Sequence, residues 1–256
     1  MANPAISHGT AIEIAFLSDK GPTREHNEDN IVVVVPDGVR HPDKGTMLIV
    51  ADGLGGHNAG EVASAIVVDE LPKAYYGREG SDYFADLCDA IDHVNKCVFD
   101  SAADSELCAG MGSTLVVALI VSEFLVVANV GDSRAYLFRE RLLHRLTIEH
   151  VVNRSEIFWG GADPEKQHSH VLTKAVGAEP FVLPSVGFHR IREGDCVLLC
   201  SDGLTDALSD GQIQDILSTY PVAKAVRTLM DRANEQHAGD NVSVILAKVV
   251  GQRLPD

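Results

Sequence analysis

The chain has 256 residues, 45% hydrophobic and 23% charged, a balance typical of a globular protein with one large domain or two small ones. It carries 21 Lys and Arg against 37 Asp and Glu, a net charge of −16, which argues against non-specific nucleic-acid binding because such binding needs basic patches. Five cysteines without CxxC spacing disfavour a disulfide framework or a zinc site, and no secretory signal or membrane span is visible, so we expect a cytoplasmic protein.

The N-terminal third combines weak strand patterns with one polar cluster. Residues 1–10 show no periodicity and predict a disordered tail, and residues 12–17 predict a first strand. The cluster REHNED, residues 24–29, then leads into a β-branched strand at 31–35. Its two adjacent acids, Glu28 and Asp29, are costly beside a buried strand unless something pairs with them, although a solvated turn is the alternative.

The stretch ADGLGGHNAGEVAS, residues 51–64, follows an apolar strand predicted at 46–51. It places Asp52 at the strand end, Gly53 next to it, and His57 shortly before a helix predicted at 61–76. Two interpretations stay open for this stretch alone. Asp52 and the carbonyl of Gly53 bind a hard cation, or Asp52 caps a tight strand-to-helix turn.

The remaining elements alternate between hairpins and helices. Apolar residues at helical spacing predict a helix at 82–99, and later helices are predicted at 209–217 and 222–237. Strands are predicted at 114–121, 124–130, 135–138, 142–146, 180–188, 195–200 and 242–250. Residues 148–171 interrupt the pattern and predict a flap over a site, within which His168 and His170 are either a metal pair or solvated side chains.

Four separated acids adjoin both a glycine and an apolar strand: Asp52, Asp132, Asp202 and Asp240. If the strand ends converge, these carboxylates crowd one pocket, and their repulsion is relieved by divalent cations. Two bridged cations activate a water and hold phosphoryl oxygens, while Arg24 offers a planar fork for a phosphate dianion. The residues alone therefore point to metal-assisted hydrolysis of a phosphate ester.

Seven motifs in order resemble the metal-dependent protein Ser/Thr phosphatases of type 2C, the PPM family, in their compact bacterial form. They span nearly the whole chain and read REHNED, ADGLGGHNAGEVAS, GMGSTL, ANVGDSRAYL, LTKAVG, LLCSDGLTDAL and GDNVSVIL. The resemblance implies an α+β fold of four layers, αββα, in which a central antiparallel β-sandwich is flanked by helices. It also implies a single phosphatase domain over residues 11–251 with the flap excursion at 148–171.

The resemblance further implies a role for each matched acid. Asp52 resembles the carboxylate that bridges two Mn²⁺ or Mg²⁺ ions, with Gly53 giving its carbonyl to one, and Asp202 and Asp240 resemble ligands of the other. Glu28 and Asp29 match an acidic pair near the metals, and Asp132 matches the acid that helps Asp202 to hold a third ion. Arg24 matches the phosphate-binding arginine. Asp195 also matches a family position, but we expect it to serve a turn.

One departure concerns the general acid. Animal members place a histidine directly after the Asp-Gly pair, where this chain has Leu54, so His57 is the nearest replacement, unless it only shapes the turn.

The expected activity is hydrolysis of phosphoserine and phosphothreonine by direct attack of a metal-bridging water. We expect a phosphoprotein substrate, a Ser/Thr kinase or its target, and a monomer that binds neither nucleic acid nor membrane. The alternatives are a pseudophosphatase that binds phosphoproteins or scaffolds a complex, and a hydrolase of small phosphate esters.

Overall fold

A computed structural model describes residues 3–7, 10–36, 44–55, 59–79, 82–153 and 170–252 of the chain. Fourteen β-strands and five α-helices are assigned within these ranges, all strand pairs being antiparallel. We number them in chain order, β1–β14 and α1–α5. The helices are α1 (Ala59–Tyr76), α2 (Tyr83–Asp104), α3 (Asp202–Ala207), α4 (Asp210–Thr219) and α5 (Val222–Glu235).

The first sheet joins both ends of the described chain. Its order is β1-β2-β14-β13-β8-β9, so that the last strand lies beside the second. Its strands are β1 (Asn3–Ser7), β2 (Thr10–Asp19), β8 (Arg134–Arg139), β9 (Leu142–Arg145), β13 (Cys196–Cys200) and β14 (Val242–Gln252).

The second sheet has the order β12-β7-β6-β4-β3, with the short β5 paired to the end of β4. Its strands are β3 (Asp29–Val34), β4 (Thr46–Leu54), β5 (Gly112–Ser113), β6 (Leu115–Val121), β7 (Phe124–Val130) and β12 (Ser185–Arg190). A separate two-stranded ribbon pairs β10 (Val151–Asn153) with β11 (His170–Leu172).

Three hydrophobic clusters separate four layers. The middle cluster, which includes Leu48 and Val116 from one sheet and Leu199 and Ile245 from the other, fills the space between the two sheets. A second cluster packs α1 and α2 on the outer face of the second sheet, and a third packs α3, α4 and α5 on the first sheet. Because strand residues alternate between faces, every central strand contributes to two clusters and reads as a continuous apolar run. The predicted αββα sandwich is confirmed.

Two predicted boundaries are wrong for identifiable reasons. The expected tail at 1–10 includes β1, whose main chain pairs with β2 in a hairpin from Asn3↔Ile14 to Ser7↔Thr10, a main-chain pairing that no periodic side-chain pattern marks. The strand predicted at 180–188 is instead Ser185–Arg190, because Pro180 and Pro184 lack the amide hydrogen that a ladder needs. The predicted helix at 82–99 exists and extends to Asp104, with the Asp82 carboxylate accepting from the first-turn amides.

Other expectations concern the cysteines, the flap and membrane spans. All five cysteines are free thiols, and Cys196 and Cys200 are buried on β13 as expected. Residues 154–169 of the predicted flap, and His168 with them, lie outside the described residues, while His170 is described only by its main chain in β11. Within the described ranges, no helix has the length and apolar character to cross a bilayer.

Candidate active site

The four acids singled out by their strand-end positions meet at one end of the sandwich. A cleft of about 230 Å³ is lined there by Arg24, Glu28, Asp52, Gly53, Leu54, Gly55, Asp132, Leu172, Asp202 and Asp240. Both sheets contribute, since Asp52 lies near the end of β4 in the second sheet while Asp202 follows β13 of the first. Convergence of strand ends therefore builds the pocket, as the sequence predicts.

Asp52 is held by its main chain. Its N–H donates to Thr114 Oγ1 at 3.0 Å, and its carbonyl accepts from Thr114 N at 2.8 Å and Ser113 Oγ at 3.0 Å. The next residue must be glycine, because a Cβ on Gly53 would lie 2.1 Å from the carbonyl oxygen of Gly60 in α1. These contacts use only the main chain of Asp52, and the residue lines the cleft.

Asp29 lies directly opposite Asp52 on β3 and is 4% exposed. Its Oδ2 accepts a 2.7 Å hydrogen bond from Ser201 Oγ, and that hydroxyl also accepts from Ser243 N at 3.0 Å. Ser201 immediately precedes Asp202, the first residue of α3. The hydroxyl thus fixes the second sheet to the helix that presents Asp202.

Asn241 organises the other side of the cleft. Its Oδ1 accepts from Glu28 N at 2.8 Å, while its Nδ2 donates to the carbonyls of Lys20 and His26 at 2.9 and 2.8 Å. Asp240, the residue before it, accepts a 2.5 Å hydrogen bond from Arg24 Nη2. The REHNED segment is therefore fastened to the start of β14 by one buried amide.

Asp132 lies in the crossover between the two sheets, after β7 and before β8. The hydroxyl of the following residue, Ser133, lies 2.8 Å from Thr114 Oγ1. Because Thr114 also accepts from Asp52 N, this hydroxyl pair links the Asp132 turn to the Asp52 strand.

Burial and mutual repulsion raise the pKa of nearly every cleft carboxyl. Desolvation raises the pKa of Asp52 well above its usual range, and the charges of Asp29, Asp202, Asp240 and Asp132 add to that shift. Desolvation followed by the Asp132 charge raises the pKa of Asp202 to about 8, and desolvation raises that of Asp29 to about 6. Neighbouring positive charge would reverse these shifts.

Burial also raises the pKa of carboxyl groups at the rim of the cleft. Desolvation is the largest cause of the raised pKa of Glu28 and of Asp132. Two carboxylate oxygens, Asp29 Oδ1 and Asp202 Oδ1, are buried without a hydrogen-bond donor among the described residues. Such an oxygen is costly unless a proton or a cation satisfies it.

Seven sequence-predicted site residues line the cleft: Arg24, Glu28, Asp52, Gly53, Asp132, Asp202 and Asp240. Asp29 lies beneath them, opposite Asp52, and His57 lies outside the described residues. As expected, Asp195 serves a turn, because it accepts from Arg192 N at 2.8 Å and binds Arg139 with both oxygens.

Sequence reasoning missed several supporting residues. Thr114, Ser201 and Asn241 hold the acids in place, and Leu172 is an apolar member of the cleft wall, as is Leu54, which the sequence marks only as a departure from animal members. The sequence contained a signal for the three polar residues. Ser201 and Asn241 are each adjacent to an identified acid, and Thr114 lies within the GMGSTL motif. Leu172 opens the LTKAVG motif, but its position in the cleft wall follows from pairing of the ribbon strands β10 and β11.

Comparisons with known proteins agree with this geometry. The family model described as Protein phosphatase 2C matches residues 23–247. The chain is 34% identical over 253 residues to the serine/threonine protein phosphatase PstP of Mycobacterium tuberculosis, covering 95% of this chain and 47% of PstP. It is 33% identical over 249 residues to the protein phosphatase PhpP of Streptococcus pneumoniae, covering 93% of this chain and 98% of PhpP.

A solved structure of the PstP catalytic domain in complex with two manganese ions superimposes with a TM-score of 0.78 at 33% identity, covering 93% of this chain and 98% of that one. The chain thus spans about half the length of full PstP but nearly all of its catalytic domain and of PhpP. The resemblance drawn from the seven motifs is confirmed, and the chain belongs to the protein phosphatase 2C family of metal-dependent serine/threonine protein phosphatases.

Proposed function

We propose that this chain hydrolyses phosphoserine and phosphothreonine monoesters of proteins with Mn²⁺ or Mg²⁺ as cofactor. The observation that carries the proposal is one cleft in which four aspartates and Glu28 face Arg24 at the rim. A buried carboxylate oxygen of Asp202 in this cleft, and one of Asp29 beneath it, have no hydrogen-bond partner among the described residues. In the reaction a water oxygen bonds to phosphorus, the ester P–O bond breaks, and the seryl or threonyl oxygen takes a proton.

The donor set fits hard divalent cations, because every candidate ligand is an oxygen. Asp52 would bridge two ions, the Gly53 carbonyl would bind one of them, and Asp202 and Asp240 would bind the other. Glu28 and Asp29 would act directly or through waters, and Asp132 with Asp202 would hold a third. When bound, such ions supply a water activated for attack and positive charge against the phosphoryl oxygens.

Closing the carboxylates around an ion needs side-chain rotation. Among the described residues, no three ligand-type side chains are gathered tightly enough to enclose one ion as they stand. Asp240 is the clearest case, since its Oδ2 is held by Arg24 at 2.5 Å. Carboxylates that lack a neutralising cation repel one another, so the open arrangement and the raised pKa values of Asp52 and Asp202 both fit a site for positive charge.

Arg24 would bind the substrate phosphate with its planar guanidinium, and 46% exposure of its side chain leaves room for that contact. A role for His57 as general acid stays a prediction from the sequence. Leu54 lines the cleft at the position where animal members have a histidine, and it cannot donate a proton.

We further propose that residues 11–251 act as one domain with 148–171 as its flap, and that the protein is a cytoplasmic, bacterial signalling enzyme and a monomer. Its substrate would be a Ser/Thr kinase or the target of one, because PstP is named a serine/threonine protein phosphatase and PhpP a protein phosphatase. A pseudophosphatase finds no support among these relatives.

The decisive experiment compares phosphopeptides, metabolite phosphates and para-nitrophenyl phosphate as substrates, with Mn²⁺ and with excess EDTA. We expect phosphopeptide turnover only with metal, and we expect Asp52→Asn to lower kcat on the order of 10³-fold. Asp69→Asn, an exposed acid on α1 paired with Lys73, is the matched control and should behave as wild type. Near-normal turnover by a folded Asp52→Asn protein, or full turnover in EDTA, would overturn the proposal.

A further inference from the structure

His150 is a buried histidine beside the cleft that the proposed chemistry does not use. It lies just before β10, is 8% exposed, and holds both main-chain groups of one residue, Gly131. Gly131 N donates to His150 Nδ1 at 3.1 Å, and His150 N donates to Gly131 O at 2.9 Å. Gly131 directly precedes Asp132, so these bonds fix the peptide that leads into the cleft acid.

The hydrogen-bond pattern determines where the imidazole proton sits. Because the Gly131 amide can only donate, His150 Nδ1 must accept, and the proton belongs on Nε2, which donates to Ser185 Oγ at 2.9 Å. A doubly protonated ring would set one N–H against another. The environment agrees, since burial, and then the Lys174 charge, lowers the pKa of His150.

The backbone at Gly131 has a conformation that restricts this position to glycine. Its φ of 98° is a conformation that other residues rarely adopt, and a Cβ there would lie 2.9 Å from Thr114 Cβ. The turn is also held at its far end, where Arg134 Nε donates to Glu149 Oε1 at 2.5 Å. Two consecutive residues, Glu149 and His150, thus hold both ends of the turn that carries Asp132.

The same histidine reaches the cleft wall from a second direction. Its carbonyl accepts from Thr173 N at 2.8 Å, and Thr173 follows Leu172, which lines the cleft. His150 therefore joins the Asp132 turn, the base of the ribbon and, through Ser185, the start of β12.

We propose that His150 is a positioning residue whose neutral imidazole orients the Gly131–Asp132 peptide through Nδ1, and so aims the Asp132 carboxylate at its proposed cation. This inference rests on the proposed function, because it assigns His150 to the third ion proposed for that site. It assigns the imidazole no contact with substrate.

Two near-isosteric variants separate the two ring nitrogens. In His150→Asn the amide oxygen stands where Nδ1 stands, whereas in His150→Gln the amide reaches only the place of Nε2. Hydrogen exchange of the Gly131 amide, measured by NMR in EDTA, reports the bond without metal or turnover. We expect exchange to stay near wild type in His150→Asn and to accelerate about fivefold to tenfold in His150→Gln.

Calorimetric titration with Mn²⁺ then measures the consequence, and Asp132→Ala identifies which binding step belongs to Asp132. We expect His150→Gln to weaken that step about ten- to hundredfold and to leave the other steps unchanged. His150→Asn should recover most of the affinity. His144→Gln, an exposed histidine on β9, is the matched control and should match wild type throughout.

Equal behaviour of the Asn and Gln variants in both measurements would overturn the inference, because the imidazole would then act only through its bulk. Unchanged Gly131 exchange in His150→Gln would also overturn it. An inactive wild-type protein that still shows the Asn–Gln difference in exchange would instead defeat the proposed function and leave the positioning role standing.

Discussion

Arg24 offers the sharpest test of how the substrate is held. Its guanidinium donates through Nη2 to Asp240 Oδ2 at 2.5 Å and through Nε to the Gly239 carbonyl at 3.4 Å. The pair is well exposed, 46% for the arginine and 32% for the aspartate, so as an ion pair alone it contributes about 1 kcal/mol or less. A bidentate contact with a phosphate dianion is stronger, roughly 1.5–3 kcal/mol.

Arg24→Ala should therefore lower kcat/KM for phosphopeptides about ten- to hundredfold, mainly through KM, and Arg24→Lys should recover only part of the loss because an ammonium lacks the planar fork. The inhibition constant of inorganic phosphate should rise by a similar factor. Mn²⁺ affinity should stay close to wild type, because removing Arg24 takes away no proposed cation ligand and leaves the Asp240 carboxylate in place.

The assay is steady-state hydrolysis at saturating Mn²⁺, with calorimetry for metal affinity and thermal unfolding to verify the fold. Arg78→Ala is the matched control, because Arg78 is 39% exposed and its Nη1 lies 2.9 Å from Asp89, remote from the cleft residues. Unchanged kcat/KM and phosphate inhibition in a folded Arg24→Ala protein would refute the phosphate role. Weakened Mn²⁺ binding at unchanged KM would show that Arg24 only orients Asp240.

Three further predictions concern stability and thiol reactivity. Mn²⁺ at a hundred times its dissociation constant should stabilise the fold by about 2.7 kcal/mol, because it relieves the repulsion between the cleft carboxylates. A thermal-shift assay should then show Tm raised by about 5–10 °C, and an unchanged Tm would contradict the convergence of these carboxylates. Asp86→Ala should lower the free energy of unfolding in urea by about 3–5 kcal/mol, because it leaves the buried ammonium of Lys44 without its partner. Lys44 Nζ lies 2.6 Å from the Asp86 carboxylate and only 7% of the lysine side chain is exposed. A loss under about 1 kcal/mol would indicate a solvated pair. Iodoacetamide should leave Cys196 and Cys200 unmodified in the folded protein at pH 8, because burial raises their pKa to about 11 and about 12, and mass spectrometry detecting either adduct would refute this.

The local hydrophobic pattern predicted helices and strands correctly wherever burial alone defines them. The run Leu115–Val121 is buried at every position, and helical spacing located α2 and α5 within a few residues. The local pattern failed at β1, which is ordered by main-chain pairing with β2. It also failed at the start of β12, because the prolines in the apolar stretch before Ser185 cannot donate a ladder hydrogen bond.

The site divides in the same way. An acid beside a glycine at a strand end is a local signature, so Asp52, Asp132 and Asp202 could be identified before any fold was known. The residues that hold these acids in place could not be identified, because their hydrogen bonds join distant parts of the chain. Ser201 and Asp29 are 172 residues apart, and Glu28 and Asn241 are 213 residues apart. No periodicity encodes a contact of that separation.

The sequence by itself determined the family, the fold class and the identities of the acids, because strand periodicity and seven ordered motifs are local properties of the chain. Only the tertiary structure decided what surrounds those acids. It set the raised pKa of Asp202, the pairing of Arg24 with Asp240 and the hold of His150 on the Asp132 turn. The physical reason is that desolvation, Coulomb interaction and hydrogen-bond geometry depend on distances in space, which exist only once two sheets have packed their strand ends together.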